Sequence, residues 1–446
     1  MSRFNLAWLI AVPLAMLAGV SLSFTAPSRP HDKEYKLVRT LVDVLAEVDQ
    51  HFVRPLTDEQ REKLVEDMIN GGLDHLDPYS QYLNADEYRQ FEAQTEGNFA
   101  GIGIHLGVDP RTGLLMVISP MVGTPAHEAG ILAGDIIVKI DDKPTEGMHM
   151  NEAIRLIQGD PGTKIRLTVV HEATRQTDTY TITRAMISVP TVLGLNRRAD
   201  DPKEFDWFAD RSNGIGYIRI VQFTEHTADD LKRAVERLGG EGLRALVIDL
   251  RDNPGGLLKS AVEVSDLFLT QGTIVSIKDR NGNGDTKTAK ADGTVFEPAA
   301  EHPIAILVNK NSASAAEIVS AALQDNHRAV IVGERSYGKG SVQKLIKLGR
   351  PGDPPTALKL TTDTYWRPSG ANIHRHPDMK DTDEWGVKPN PGFEIPMTDA
   401  ERLEYLRYKR NKDIVRRDKP KEPEKPYADK ALDKAVEYLK GELNKQ

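Results

Sequence analysis

Cysteine is absent from all 446 residues, which removes disulfide staples, thiolate nucleophiles and cysteine-bound metal in one step. Its absence does not identify a compartment. Also missing is a basic patch with interleaved aromatics. A formal net charge of −8 leaves no clustered Lys and Arg to replace the counterions released from a phosphate backbone, so nucleic acid is excluded as a partner. The 12 histidines show no H-E-x-x-H or comparable carboxylate spacing, and neither a metal nor a cofactor is expected. There is no G-x-S-x-G elbow and no G-D-S-G stretch, so a Ser-His-Asp triad has no obvious nucleophile. What is present is ordinary globular material: 39% apolar and 28% charged residues, enough chain for about three domains of roughly 150 residues each.

The chain opens "MSRFNLAWLIAVPLAMLAGVSLSFTAPSRP": a basic start at Arg3, an apolar stretch from Leu6 to Val20, then small residues. That order is an export signal. The stretch is short for a spanning helix, which needs about 20 residues, and Pro13 interrupts it. The cleavage candidates after Ser23 and Ala26 are mediocre, so a cleaved signal and an uncleaved membrane anchor both fit. Either gives an exported, periplasmic or otherwise extracytoplasmic protein.

Residues 35–95 read as helical. Leu37, Leu41, Val44 and Leu45 form one stripe, and Thr57 with Gln60 has capping-box spacing before a helix that Gly71-Gly72 would stop. From Asn98 the texture changes to short alternating strands with two short helices, a compact module of about 90 residues. From Gly214 apolar strands alternate with amphipathic helices, which implies a mostly parallel α/β sheet with its chemistry at strand C-terminal ends. The charged tail ends in "DKALDKAVEYLKGELNK", an amphipathic helix that is either a solvated appendage or packs on the N-terminal helices or a second subunit.

"GERSYGKGSVQ" imitates a phosphate loop through Gly333, Gly338 and Lys339. However, Gly340 stands where Ser or Thr should hold magnesium, and the residues after it alternate like a strand, where the phosphate needs a helix N-terminus. "DRNGNGDTKTAK" imitates a calcium loop through Asp279, Asn281, Asn283 and Gly284, but its twelfth position is Lys290, so it reads as a Gly/Asn hairpin. In "NKNSASAAEIVSAAL", Ser312 and Ser314 sit where a buried strand passes into a helix. Taken alone, such a serine is a cap, although the same place aims N–H groups at an oxyanion. Lys339 follows the next strand of the same sheet, so both loops reach one edge. Burial would lower the lysine pKa enough for it to act as base to Ser314, with Gln343 four residues on to orient it. Gly255-Gly256 of "DNPGG" suits oxyanion donation. Ser336-x-x-Lys339 has the spacing of penicillin-binding enzymes, but its context is not helical.

These residues resemble the C-terminal processing peptidases, also called tail-specific proteases. The motifs, in the family's order, are "LDPYSQYL", "GIGIHL", "SPMVGTPAHEAGILAGDIIVKID", "LVIDLRDNPGGLL", "VNKNSASAAEIVSAALQD", "GERSYGKGSVQ" and "LTTDTYWRPSG", over residues 35 to 375. The resemblance implies nucleophile Ser314, base Lys339, orienting Gln343 and oxyanion donors at Gly255, Gly256 and Ala315. It also implies a PDZ domain whose Gly101, Ile102, Gly103 and Ile104 bind a chain-terminal carboxylate, where the residues alone read as a tight turn. The expected organisation is a signal or anchor (1–26), helical N-terminal domain (31–96), PDZ domain (97–187), protease core (188–397) and helical C-terminal extension (398–446). The implied protein is a serine endopeptidase acting on proteins and peptides with unstructured C-termini, with a homodimer through terminal helices as a further option. The rival reading is an inactive PDZ scaffold that binds peptides without cutting them. The family departures are Ser336-Tyr337 in place of Thr-Phe, His171 where an arginine couples PDZ to active site, and a long segment over 373–397 with no assigned role.

Overall fold

The structure is a computed structural model that describes residues 32–172, 174–198, 200–201, 203–296, 301–350, 352–413 and 427–446. The export segment lies outside the described residues. The chain divides into two compact units, the first ending at Gly72 and the second running from Leu73 to Gln446.

The first unit holds α1 (Asp32–His51) and most of α2 (Asp58–Asp74). The capping box forms as the spacing requires: Thr57 N–H donates to Gln60 Oε1 at 3.0 Å and Gln60 N–H to Thr57 Oγ1 at 3.2 Å. Gly71-Gly72 does not end the helix, which runs on to Asp74. Each glycine costs about 1 kcal/mol against alanine without removing a hydrogen bond, so the stop comes later, where Leu76 N–H turns back to Leu73 O. Leu37, Leu41 and Phe52 on α1 and just after it are exposed.

In the second unit, β1 (Gln81–Leu83) and α3 (Ala85–Glu96) precede the small β module. Strand β2 (Asn98–Gly101) leads into a five-strand antiparallel path of β3 (Ile104–Val108), β4 (Leu115–Pro120), β5 (Ile136–Ile140), β6 (Lys164–Val170) and β7 (Thr177–Thr183). Helices α4 (Pro125–Ala129) and α5 (Met150–Ile157) pack on it, around Ile137, Ile140, Leu167 and Val169. β8 (Ala185–Ser188) pairs back with β2, Gly101 opposite Ala185, so the module enters and leaves on one ribbon.

The largest core surrounds a sheet in the order β9 (Val192–Leu193), β10 (Ile215–Ile220), β11 (Ala245–Asp249), β14 (Ile304–Val308), β15 (Ala329–Gly333). β10, β11, β14 and β15 are parallel and buried along their length. Helices α6 (Thr227–Gly240), α7 (Leu258–Asp266) and α8 (Ala315–Asp325) contribute to the same hydrophobic cluster as Ile218, Ile248 and Ile306 of this sheet. The expectation of a mostly parallel architecture holds only for these four strands, and the sheets are mainly antiparallel. β12 (Thr273–Asp279) turns through residues 280–283 into β13 (Gly284–Thr288), and β16 (Ser341–Leu348) pairs antiparallel with β17 (Thr356–Trp366); with β1 they make a separate sheet. The connections of both hairpins are shorter than the dozen or so residues that a parallel crossover needs.

The tail also departs from expectation. After α9 (Asp399–Asp413), α10 (Lys430–Leu443) buries Ala431, Ala435, Leu439 and Leu443 against Ile215, Tyr217, Val247 and Ala305. It is therefore not a solvated appendage, and its apolar face is taken up by the core sheet instead of by terminal helices or a second subunit. Each fully buried leucine contributes roughly 1.5–3 kcal/mol, so α10 is integral to the core.

Candidate active site

Three loops meet beyond the C-terminal ends of β11, β14 and β15. The first carries Gly255-Gly256, the second Ser314 and the third Lys339. Ser314 is 8% exposed and is the residue before α8, with φ 56° and ψ −115°. A non-glycine residue at positive φ is strained and persists only where its surroundings enforce it. Gly255 supplies part of that enforcement: at φ 100°, a Cβ on it would lie 2.7 Å from Ser314 Cβ. The turn therefore seats Ser314 at a helix N-terminus with glycine backbone pressed against it.

The expected oxyanion donors differ in availability. Gly255 N–H donates to Asn253 Oδ1 at 2.8 Å, so it is already engaged. The amides of Gly256 and Ala315 have no acceptor among the described residues. Ala315 N–H is the first of α8, where no intrahelical partner exists.

Glu317 organises the loops, and it was not singled out in the sequence. Its side chain is fully buried and accepts from four donors: Ser314 N–H (2.8 Å), Lys339 N–H (2.8 Å), Gly338 N–H (2.6 Å) and Ser336 Oγ–H (2.6 Å). Burial raises its carboxyl pKa, and the opposing pull of the four donors only partly offsets that. The legible signal was its position three residues after Ser314, the capping-box spacing. Ser336 is thereby occupied, because its Oγ also accepts Val387 N–H at 2.7 Å; it offers no free nucleophile. Ser312 is likewise committed, donating to Leu250 O at 2.8 Å.

Lys339 is half-buried. Burial, and next the charge on Lys359, lower its pKa, against weaker opposing attraction from Glu317 and Asp77. Its Nζ lies 4.4 Å from the centroid of the Tyr79 ring, and among the described residues no hydrogen bond joins it to Ser314. Among the described residues Gln343 makes no hydrogen bond to it either: Nε2 donates to Ser341 Oγ (3.0 Å) and Thr361 Oγ1 (3.1 Å). The backbones of Lys339 and Ser314 are tied together through Glu317, while no hydrogen bond joins their side chains among the described residues. The segment after residue 373 covers the lysine loop: Arg375 N–H donates to Gly338 O at 2.9 Å, and Trp385 is stacked between Arg335 (3.4 Å) and Arg375 (4.4 Å).

In the β module, Ile102 and Gly103 follow β2 as a bare loop. Their carbonyls are held by Ala126 N–H (2.9 Å) and Met121 N–H (2.9 Å), whereas their own N–H groups have no acceptor among the described residues. Consecutive free amides of this kind make an anion-binding concavity. Beside them lies a groove of about 1020 Å³ with Ile104, Leu106, Ile154, Ile157 and, from α3, Arg89 and Gln90 in its wall. Gly101 closes β2 and Ile104 opens β3. His171 is held between Asp135 (2.7 Å) and Asp178 (3.1 Å). Among the described residues no group of three His, Asp or Glu could hold a metal, and no helix is long and apolar enough to cross a membrane.

Comparison with known proteins identifies two of the chain's parts. Residues 214–390 match the model of peptidase family S41 and residues 116–170 match a PDZ domain. A carboxy-terminal-processing protease of Bartonella bacilliformis is 36% identical over 416 residues, covering 92% of this chain and 89% of that one. The carboxy-terminal processing protease CtpA of Bacillus subtilis is 33% identical over 347 residues, covering 77% and 66%. Among solved structures, the photosystem II D1 C-terminal processing protease aligns at 26% identity with a TM-score of 0.42, covering 79% of this chain and 86% of that chain. The chain belongs to the carboxy-terminal-processing proteases of peptidase family S41, serine-type peptidases that carry a PDZ domain.

Proposed function

We propose that Ser314 is the nucleophile and Lys339 the general base of an exported endopeptidase that selects substrates by their free C-terminus. The neutral Lys339 amine takes the Ser314 proton as Oγ attacks the scissile carbonyl. The oxyanion is received by the N–H groups of Gly256 and Ala315. The lysine ammonium then protonates the leaving amine, leaving an acyl-serine. A water molecule that gives its proton to Lys339 hydrolyses that ester and restores the hydroxyl.

The observation that carries this reading is the shared carboxylate of Glu317, which fixes the Ser314 and Lys339 backbones to one point. The amine now rests over Tyr79, so arming the pair requires the lysine side chain to swing from that ring towards Ser314. Gln343 would take up its orienting role in the armed arrangement. The free amides of Ile102 and Gly103, flanked by Gly101 and Ile104, would receive the terminal carboxylate, and the apolar groove the last side chains. Unstructured protein tails are the substrate class this combination fits.

Export rests on the sequence of the first 26 residues, as a cleaved signal or an anchor. A homodimer would use the exposed apolar stripe of α1, since α10 is occupied by the core. The test of the chemistry is Ser314→Ala: cleavage of a denatured protein substrate should vanish while the thermal melt is unchanged. Retained cleavage would refute the assignment.

A further inference from the structure

The C-terminal extension reaches back to the loop between β11 and Gly255. Asp252, at φ 56°, lies three residues before Gly255 and four before Gly256. One of its carboxylate oxygens, Oδ1, accepts from Asn309 Nδ2 and Asn311 Nδ2, both at 2.9 Å, on the loop that leads to Ser314. Its other oxygen, Oδ2, accepts from Lys409 Nζ of α9 at 2.8 Å. Both partners are largely sheltered, with side-chain exposures of 21% for Lys409 and 15% for Asp252. Next to it, Arg251 is buried and held bidentately by Asp429, Nη1 to Oδ1 and Nη2 to Oδ2 at 2.8 Å each, while it also donates to Asp249. Asp429 also caps α10 by accepting Leu432 N–H at 3.1 Å. The ring of Tyr405, from α9, lies 5.0 Å from the Arg251 guanidinium.

We infer that Lys409 and Asp429 are positioning residues for the reaction, through which the C-terminal extension holds the oxyanion loop and the nucleophile loop in register. This rests on the assignment of Ser314 as nucleophile and Gly256 as donor. Asp252 is the hub: it joins three segments, and among the described residues only Lys409 gives it an ion pair. Without that cation, a sheltered carboxylate in left-handed backbone would retain only neutral donors, and both loops it binds would be free to shift. A displacement of about 1 Å at reacting atoms costs on the order of a hundredfold in rate. The carbonyls of Ile102 and Gly103 are held within the β module, by Ala126 and Met121, and not by either loop, so the loss should fall on kcat.

The experiment compares full-length wild type, K409M, K409R and S314A on one unstructured fluorogenic peptide, with thermal melts and the rate at which a fluorophosphonate labels Ser314. Expected are a kcat for K409M lower by about tenfold or more with KM within about twofold, a parallel fall in labelling rate, and substantial recovery in K409R. A folded K409M with wild-type kcat, or a K409R no better than K409M, would overturn the inference. K409Q, read the same way, covers the case in which K409M melts below the assay temperature. Unfolding of both would also overturn it, by placing Lys409 in the fold and not in catalysis. An active S314A would instead sink the nucleophile assignment; an inactive S314A beside a normal K409M removes only the clamp.

Discussion

The backbone N–H groups of Ser314 and Lys339 donate to the same oxygen, Oε2 of Glu317, at 2.8 Å each. Ser314 and Lys339 follow different strands of the core sheet, β14 and β15, and this one buried atom fixes the spacing of their main chains. In the proposed mechanism, side-chain rotation at Lys339 arms or disarms the pair without moving either loop.

Glu317→Gln tests that tie. The amide would set an NH2 group against donors that converge on a carboxylate, so at least one buried N–H would lose its acceptor. The expected outcome is a kcat lower by about a hundredfold with KM little changed, and a stability loss of about 1–3 kcal/mol in a denaturant titration.

The pH profile follows from the lowered pKa of Lys339, caused first by burial and next by Lys359. Only the neutral amine is a base, so kcat/KM should rise with pH through that depressed pKa. Lys359→Met removes a like charge, which raises the Lys339 pKa and moves the acid limb to higher pH. A profile unmoved by this substitution would show that Lys359 does not tune the base.

Gly103→Ala addresses the carboxylate loop. Gly103 has φ 78°, and a Cβ there would lie 2.4 Å from Thr124 Cβ, whose hydroxyl donates to Gly103 O at 3.0 Å. The loop must distort to admit it. Affinity for a peptide with a free C-terminus, measured by fluorescence anisotropy, should fall about tenfold or more, whereas wild-type affinity for the amidated peptide should already be weak.

His171 makes the β module pH-sensitive in a defined direction. Its hydrogen bond to Asp135, outweighing burial, and its contact with Asp178 raise its pKa in the fold. A raised folded pKa gives stability that is fully present below the unfolded value of about 6.5 and is lost as pH rises through the folded value. Relative to His171→Gln, wild type should therefore lose melting temperature over that interval, and parallel melting curves at all pH values would contradict it.

Much of this was legible because local chemistry and pattern agreed. The Ser314 turn, the strand after Gly340, the Thr57 cap and the Asn/Gly hairpin all follow from residue type and spacing. The mostly parallel sheet did not, because apolar strands such as Thr273–Asp279 look alike whether a helix or a hairpin follows; the pairing is decided by the length of the connection. Glu317 escaped because a cap-box glutamate and a catalytic tie have the same spacing. Asp252 and Lys409 lie 157 residues apart, and no periodicity relates them. Gly255 was grouped with Gly256 as a donor, yet the Asn253 side chain, two residues before it, takes its N–H.

The most direct measurement is mass-spectrometric mapping of a fluorophosphonate adduct on the full-length protein at two pH values, one mildly acid and one alkaline, because burial lowers the Lys339 pKa. A single adduct on Ser314, forming faster at the higher pH and failing to form in Lys339→Met, is the expected result. An adduct on another serine, or equal labelling of Ser314 with and without Lys339, would contradict a serine activated by that lysine.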